Sequence, residues 1–174
     1  MDSNIRQRLI LRAPRRADGL AAHRLVGACP PLDLNSVYSY FLLCDHFAET
    51  CVVAEQESAL AGFLSAYRLP HDTSRLFVWQ MAVAAHARGQ GLAARMLDAL
   101  LARPACAGVR HVEATVNPSN QASRRVFTRL AAVHGAALVE EIFLDAADFG
   151  GAAHEAEVLL RVGPLGGETP DAHF

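Results

Sequence analysis

The stretch LFVWQMAVAAHARGQGLAARMLDALLA, Leu76 to Ala102, decides the fold. Leu76 to Val83 is apolar and rich in β-formers, which predicts a strand. From Gly91 to Ala102 the apolar positions follow helical spacing, which predicts an amphipathic helix. Between them stand Arg88, Gly89, Gln90 and Gly91. Glycines at a helix entrance let backbone N–H groups close on an anion, and the helix dipole favours negative charge there. Arg88 adds a fixed positive charge. The chemistry implied is recognition of a phosphate or pyrophosphate; the plain alternative is a loop whose glycines only turn the chain.

Upstream, residues 8–11 predict a short strand ended by Ala13-Pro14, and Arg16 to Val26 predicts a helix broken by Cys29-Pro30-Pro31. In LDLNSVYSYFLLCDHFAET the positions Val37, Tyr40, Phe41, Cys44 and Phe47 keep helical spacing, with Asn35 or Ser36 as cap. Cys51 to Glu55 and Leu60 to Arg68 predict strands joined by a turn carrying Glu57 and Ser58. Pro70, His71 and Asp72 mark the next loop. Strands joined by such short turns read as antiparallel. Downstream, Val109 to Val116 predicts a strand, Ser119 to Ala132 a helix, and Ala137 to Leu144 and Glu157 to Val162 two final strands. The expected fold class is α/β, a mixed and mostly antiparallel sheet flanked by helices. At 174 residues it is expected to be one domain, 1–174, with a core over about 7–162 and a tail over 163–174.

Composition removes several function classes. Hydrophobic residues make up 52% and charged residues 20%, enough for a buried core and too little charge for a disordered chain. The net charge of −2 argues against a nucleic-acid or anionic-membrane surface. No apolar run reaches the length of a membrane span, and no secretory leader is read at the start, so a cytoplasmic location is expected. All 16 basic residues are Arg. Without Lys, Schiff-base chemistry and the phosphate-binding lysine of a P-loop are excluded. Cys29, Cys44, Cys51 and Cys106 form no C-x-x-C pair and read as reduced core thiols. The eight histidines show no metal-ligand spacing, so no metal is expected.

Two ligand readings compete for the glycine loop. Gly89, Gly91 and Ala94 give a loose G-x-G-x-x-A dinucleotide fingerprint, with Glu113 placed as a ribose-binding acid. Against it, residues intervene between strand and glycines, antiparallel strands precede the unit, and no second βαβ half follows. The second reading covers more of the chain. Met81, Ala82 and Val83, then Arg88, Gly91 and Ala93, resemble motif A of the GNAT superfamily of N-acetyltransferases. Downstream, Asn120, Ser123, Val126 and Phe127 resemble the same family's N-x-x-S-x-x-(L/V)-(Y/F) helix. The resemblance implies acetyl-CoA as acyl donor. Its pantetheine would lie along Met81, Ala82 and Val83 on a splayed central strand pair. Its pyrophosphate would be wrapped by Arg88, Gly89, Gln90, Gly91, Leu92 and Ala93, with Asn120, Ser123 and Phe127 completing the set. Many members carry Tyr where Phe127 stands. Phe donates no proton, so water or another residue serves, or the thiolate leaves unprotonated, which a thiol pKa of about 8.5 permits.

Over nearly its whole length the chain also resembles the L-2,4-diaminobutyrate acetyltransferases of ectoine biosynthesis, through PPLDLNSVYSYFLLCDHFAETCVVAE, the glycine loop and the His154-Glu155 stretch. This implies acetyl transfer to the 4-amino group of L-2,4-diaminobutyrate, in an enzyme that is often a homodimer. An alkyl ammonium with a pKa of about 10 must lose a proton before it attacks a thioester. A backbone N–H at Met81 or Val83 is the implied oxyanion donor. Glu113, between Val112 and Ala114, is the first choice for base or ammonium anchor; its alternative is a solvated strand face. His154 is the second catalytic candidate, or a surface loop histidine. Asp33 would pair with the α-ammonium or serve as a helix N-terminal acid. Asn35 or Tyr38 would bond the carboxylate, unless Tyr38 is core. Trp79 would wall the site with a cation–π face, or be packed inside. Thr115 shares the strand face of Glu113. Arg124 and Arg125 would reach coenzyme phosphates or remain helix-surface charge. The alternatives in function are a GNAT enzyme for another small amine and a non-catalytic acyl-CoA-binding module.

Overall fold

The structure, a computed structural model, describes residues 9–150 and 155–166. Among the described residues, seven strands form one mixed sheet. The chain forms two compact units, one made of the residues up to Tyr67 with Gln80–Ala107, the other of Arg68–Trp79 with the residues from Gly108 on.

In the first unit, β1 (Leu9–Arg12) pairs antiparallel with β2 (Val52–Gln56), which pairs antiparallel with β3 (Ala59–Leu69). Glu57 and Ser58 make the β2–β3 turn at φ 51° and 64°. Left-handed conformation at both positions matches the twist of a two-residue hairpin, at a steric cost to these non-glycine residues. Helices α1 (Gly19–Gly27) and α2 (Val37–Asp45) bury Ala22, Val26, Tyr40, Leu43 and Cys44 in one cluster with Cys51, Val53 and Phe63. The side chain of Ser36 caps α2 by accepting from the Ser39 N–H. The expected helix over Arg16 to Val26 is split: Arg16–Asp18 is a 3-10 turn, and α1 starts at Gly19. Helix α3 (Leu92–Leu101) buries Leu92, Met96, Leu97 and Leu100 along one stripe. A Cβ on Gly62 of β3 would stand 2.8 Å from Met96 Sδ, so a larger residue there would make the Met96 side chain shift.

Strand β4 (Asp72–Val83) starts at Asp72, a residue expected in the preceding loop, and contributes its first part to the second unit. There it runs parallel to β5 (His111–Val116), with Arg75, Leu76 and Phe77 in register with His111, Val112 and Glu113. This parallel ladder ends at Phe77, while β4 continues to Val83 and β5 to Val116. Helix α4 (Gln121–His134) is capped by Asn120 Oδ1, which accepts from the Ser123 N–H at 3.1 Å, and ends at Gly135 in the left-handed conformation. β6 (Ala137–Leu144) and β7 (Glu157–Gly163) are antiparallel, and β7 lies between β5 and β6. A Cβ on Gly163 would lie 2.7 Å from the Arg110 carbonyl, so β7 ends on a residue without one.

Candidate active site

In the first unit the loop between β4 and α3 has the character of an anion cradle. Gly89 and Gly91 sit at φ 74° and 71°, and a Cβ on either would meet nothing within 4 Å. Conformation, not crowding, demands glycine there. Gly91 caps α3 with no side-chain bond, so the N–H groups of the first turn have no intrahelical acceptor. The exposed Arg88 donates through Nε to the Val83 carbonyl at 3.0 Å and reaches Cys29 Sγ at 3.5 Å. A guanidinium carries five donors, so others remain for a phosphate. Gln90 Nε2 donates to the His86 carbonyl at 3.0 Å. Met81 and Val83 are half-buried, Ala82 and Leu92 buried. The last two therefore offer a ligand main chain rather than side chain. Ala93 lies in the first turn of α3. This donor set fits a pyrophosphate and the arm of acetyl-CoA.

The same unit holds a buried neutral network. Tyr40 is 0% exposed and its hydroxyl donates to Gln80 Oε1 at 3.0 Å. Gln80 Nε2 donates to the Asp33 carbonyl at 2.6 Å, and the Gln80 N–H donates to Ser65 Oγ at 3.2 Å. Burial raises the Tyr40 pKa, while hydrogen bonds with Asn35 and Gln80 oppose the rise. The structure thus brings Asp33 and Asn35 to the end of β4. Tyr38 is 68% exposed and is no core residue.

The second unit carries charge. Glu113, 3% exposed, takes Arg75 Nη1 at 3.2 Å and Arg161 Nε at 2.5 Å, both on Oε1. Arg75 Nε reaches Asp72 at 2.8 Å, and Arg161 Nη2 reaches Glu141 at 3.1 Å. Asp72, Arg75, Glu113, Arg161 and Glu141 form a ladder of alternating sign across β4, β5, β7 and β6. Glu113 is therefore not on a solvated strand face, and a proton or ammonium would have to meet it at Oε2. Thr115 is half-buried, and strand alternation puts it on the Glu113 face. Trp79 is 44% exposed, so packing inside is excluded. Asn120 and Ser123 are engaged with each other at the start of α4. Phe127, 1% exposed, presents no ring surface to a ligand. It packs as a core residue of α4. Arg124 is paired with Glu140. His154 lies outside the described residues.

None of the four cysteines forms a disulfide, and all four are buried. Burial pushes the Cys44 and Cys51 thiols up to about 12. Among the described residues no three of His, Cys, Asp and Glu cluster as a metal would require, and no helix is long and apolar enough to cross a membrane.

Reasoning from sequence missed Tyr40, Ser65, Gln80, Arg75 and Arg161. Gln80 gave a signal as the lone polar residue of LFVWQMAV, and Arg161 as a charge in the middle of the apolar run of EVLLRVG. Their partners depend on strand order and helix placement, which no spacing reveals.

A glycine-rich anion cradle at a helix start, following a strand whose parallel pairing stops midway, defines an acyl-CoA-dependent transferase. The chain belongs to the acetyltransferase (GNAT) family, whose profile matches residues 21–132. The dinucleotide reading is thereby overturned. Among its relatives, the L-2,4-diaminobutyric acid acetyltransferase of Bordetella parapertussis is 56% identical, covering 89% of this chain and 84% of that protein. The protein of the same name from Streptomyces avermitilis is 48% identical over 87% and 86%. The solved structure of diaminobutyrate acetyltransferase EctA from Paenibacillus lautus, in complex with L-2,4-diaminobutyric acid and coenzyme A, is similar at a TM-score of 0.90. Its identity is 42%, covering 93% of this chain and 98% of that one.

Proposed function

We infer that the chain transfers acetyl from acetyl-CoA to L-2,4-diaminobutyrate, at the 4-amino group, in ectoine biosynthesis. The observation that carries this is the likeness to the EctA complex over nearly all of both chains. Acetyl-CoA supplies an activated thioester; the chain has to bind it, hold the acceptor and take its proton. Arg88, Gly89, Gln90, Gly91, Leu92 and Ala93 hold the pyrophosphate, Met81, Ala82 and Val83 the arm, and Asn120 and Ser123 further coenzyme groups. Asp33 pairs with the α-ammonium, and Asn35 or Tyr38 with the carboxylate. Trp79 walls the acceptor and Thr115 accompanies Glu113. Glu113 acts as ammonium anchor or base through Oε2, and His154 as the other proton acceptor. The thiolate leaves unprotonated or takes its proton from water or a residue other than Phe127.

The test is thiol release from acetyl-CoA with L-2,4-diaminobutyrate beside ornithine, lysine and spermidine, with the acetyl position read by NMR. Preference for diaminobutyrate with product at N4 is expected. Turnover of another amine instead would move the acceptor to that amine, and acetyl-CoA binding without turnover would leave a binding module. We further propose a cytoplasmic homodimer with no metal, nucleic-acid or membrane partner, checked by light scattering. Both units belong to one domain, for which calorimetry should give one unfolding transition.

A further inference from the structure

We propose that Gln80 is a positioning residue for the acceptor amino acid, acting through the Asp33–Asn35 segment with Tyr40 as its lock. This rests on the reading that Asp33 and Asn35 face the acceptor. Residues 33–36 have neither helix nor strand of their own, so no backbone ladder sets their direction. Tertiary bonds must do so. The Asp33 carbonyl can only accept, so the Gln80 amide must turn Nε2 toward it, where the distance is 2.6 Å. Oε1 is then directed at Tyr40, whose hydroxyl donates at 3.0 Å. The same phenol meets Asn35. One side-chain amide, 6% exposed, therefore ties the residues on both sides of Leu34 to the strand position next to Met81. Ser65 Oγ accepts from the Gln80 N–H and fixes the backbone on which the amide stands. Both donor and acceptor ends are used, so the isosteric Glu is not equivalent: its carboxylate would set an oxygen against the Asp33 carbonyl.

The experiment compares steady-state kinetics of the full chain with Gln80→Glu and Tyr40→Phe. Gln80→Glu is expected to raise KM for diaminobutyrate about tenfold at pH 8 and leave KM for acetyl-CoA within about twofold. Relative to the unchanged chain, that defect should shrink as pH falls and the introduced carboxyl gains a proton to donate to Asp33. Tyr40→Phe should raise the same KM by about threefold, with a weaker preference for diaminobutyrate over ornithine. Unchanged acceptor KM in both variants, or equal rises in both KM values without a pH response, overturns the proposal. Should Gln80→Glu fail to fold, Tyr40→Phe carries the same contrast. An unchanged chain that acetylates a different amine defeats the assigned acceptor and leaves the positioning role to be measured with that amine. If it turns over no amine, calorimetric binding of diaminobutyrate to each variant decides the role.

Discussion

The two units solve the burial of polar groups differently. Around Gln80 the first unit uses neutral donors and acceptors, with the Tyr40, Ser65 and Gln80 side of the network no more than 6% exposed. Around Glu113 the second unit uses formal charge, with Arg75 and Arg161 side chains 35% and 26% exposed. The contrast follows from solvation. Neutral groups can be withdrawn from water completely when their bonds are made, whereas ions withdrawn to that degree lose more than their attraction returns. The ladder keeps its arginines partly wet and buries only its central carboxylate. The neutral network holds the segment around Asp33 to β4, while the ladder stitches four strands.

The largest expected effect breaks the ladder at its centre. Glu113→Ala leaves two guanidinium groups facing each other and should lower the unfolding free energy by about 2–3 kcal/mol in urea titration, the exposure of the arginines reducing the usual cost. A loss under about 0.5 kcal/mol would mean that the ladder is passive. Tyr40→Phe should cost about 1 kcal/mol, one buried hydrogen bond. Repeating both in 1 M salt sharpens the comparison: the Glu113 effect should shrink and the Tyr40 effect should not. Gly91→Ala should cost about 1 kcal/mol, because φ 71° strains any L side chain. It should also raise KM for acetyl-CoA while that for the acceptor stays constant.

A smaller effect concerns pH. The Arg12 guanidinium, hydrogen-bonded to Asp18, holds the Asp18 carboxyl below the usual carboxylate range. Its stabilisation is present above the ordinary carboxylate pKa of about 4 and is lost as pH falls through the lowered folded value. Acid titration of unfolding should therefore fall more steeply below about pH 4 for the unchanged chain than for Asp18→Asn. Least of all, Ser36→Ala removes a cap bond at 3.4 Å and should cost about 0.5 kcal/mol.

Much of the fold was legible because local signals agreed. The period change near Cys51, the α2 start at Asn35 or Ser36 and the stripe of α3 all lie within a turn or two of chain. The helix expected over Arg16 to Val26 shows the limit, since its first turn is wound as 3-10. Of the site, the glycine cradle was legible because backbone conformation is a local property. Glu113 was legible as an unusual residue, but its two arginines were not.

By itself the sequence determined most of the elements, the glycine loop at the start of α3 and the absence of lysine chemistry, since each depends on residue type and short spacing. The tertiary structure decided that β7 enters between β5 and β6, bringing Arg161 opposite Glu113. It also decided that Gln80 meets Asp33 and Tyr40, residues 47 and 40 positions away. Such pairings are set by which surfaces pack together, and that depends on the burial of the whole chain rather than on any neighbourhood within it.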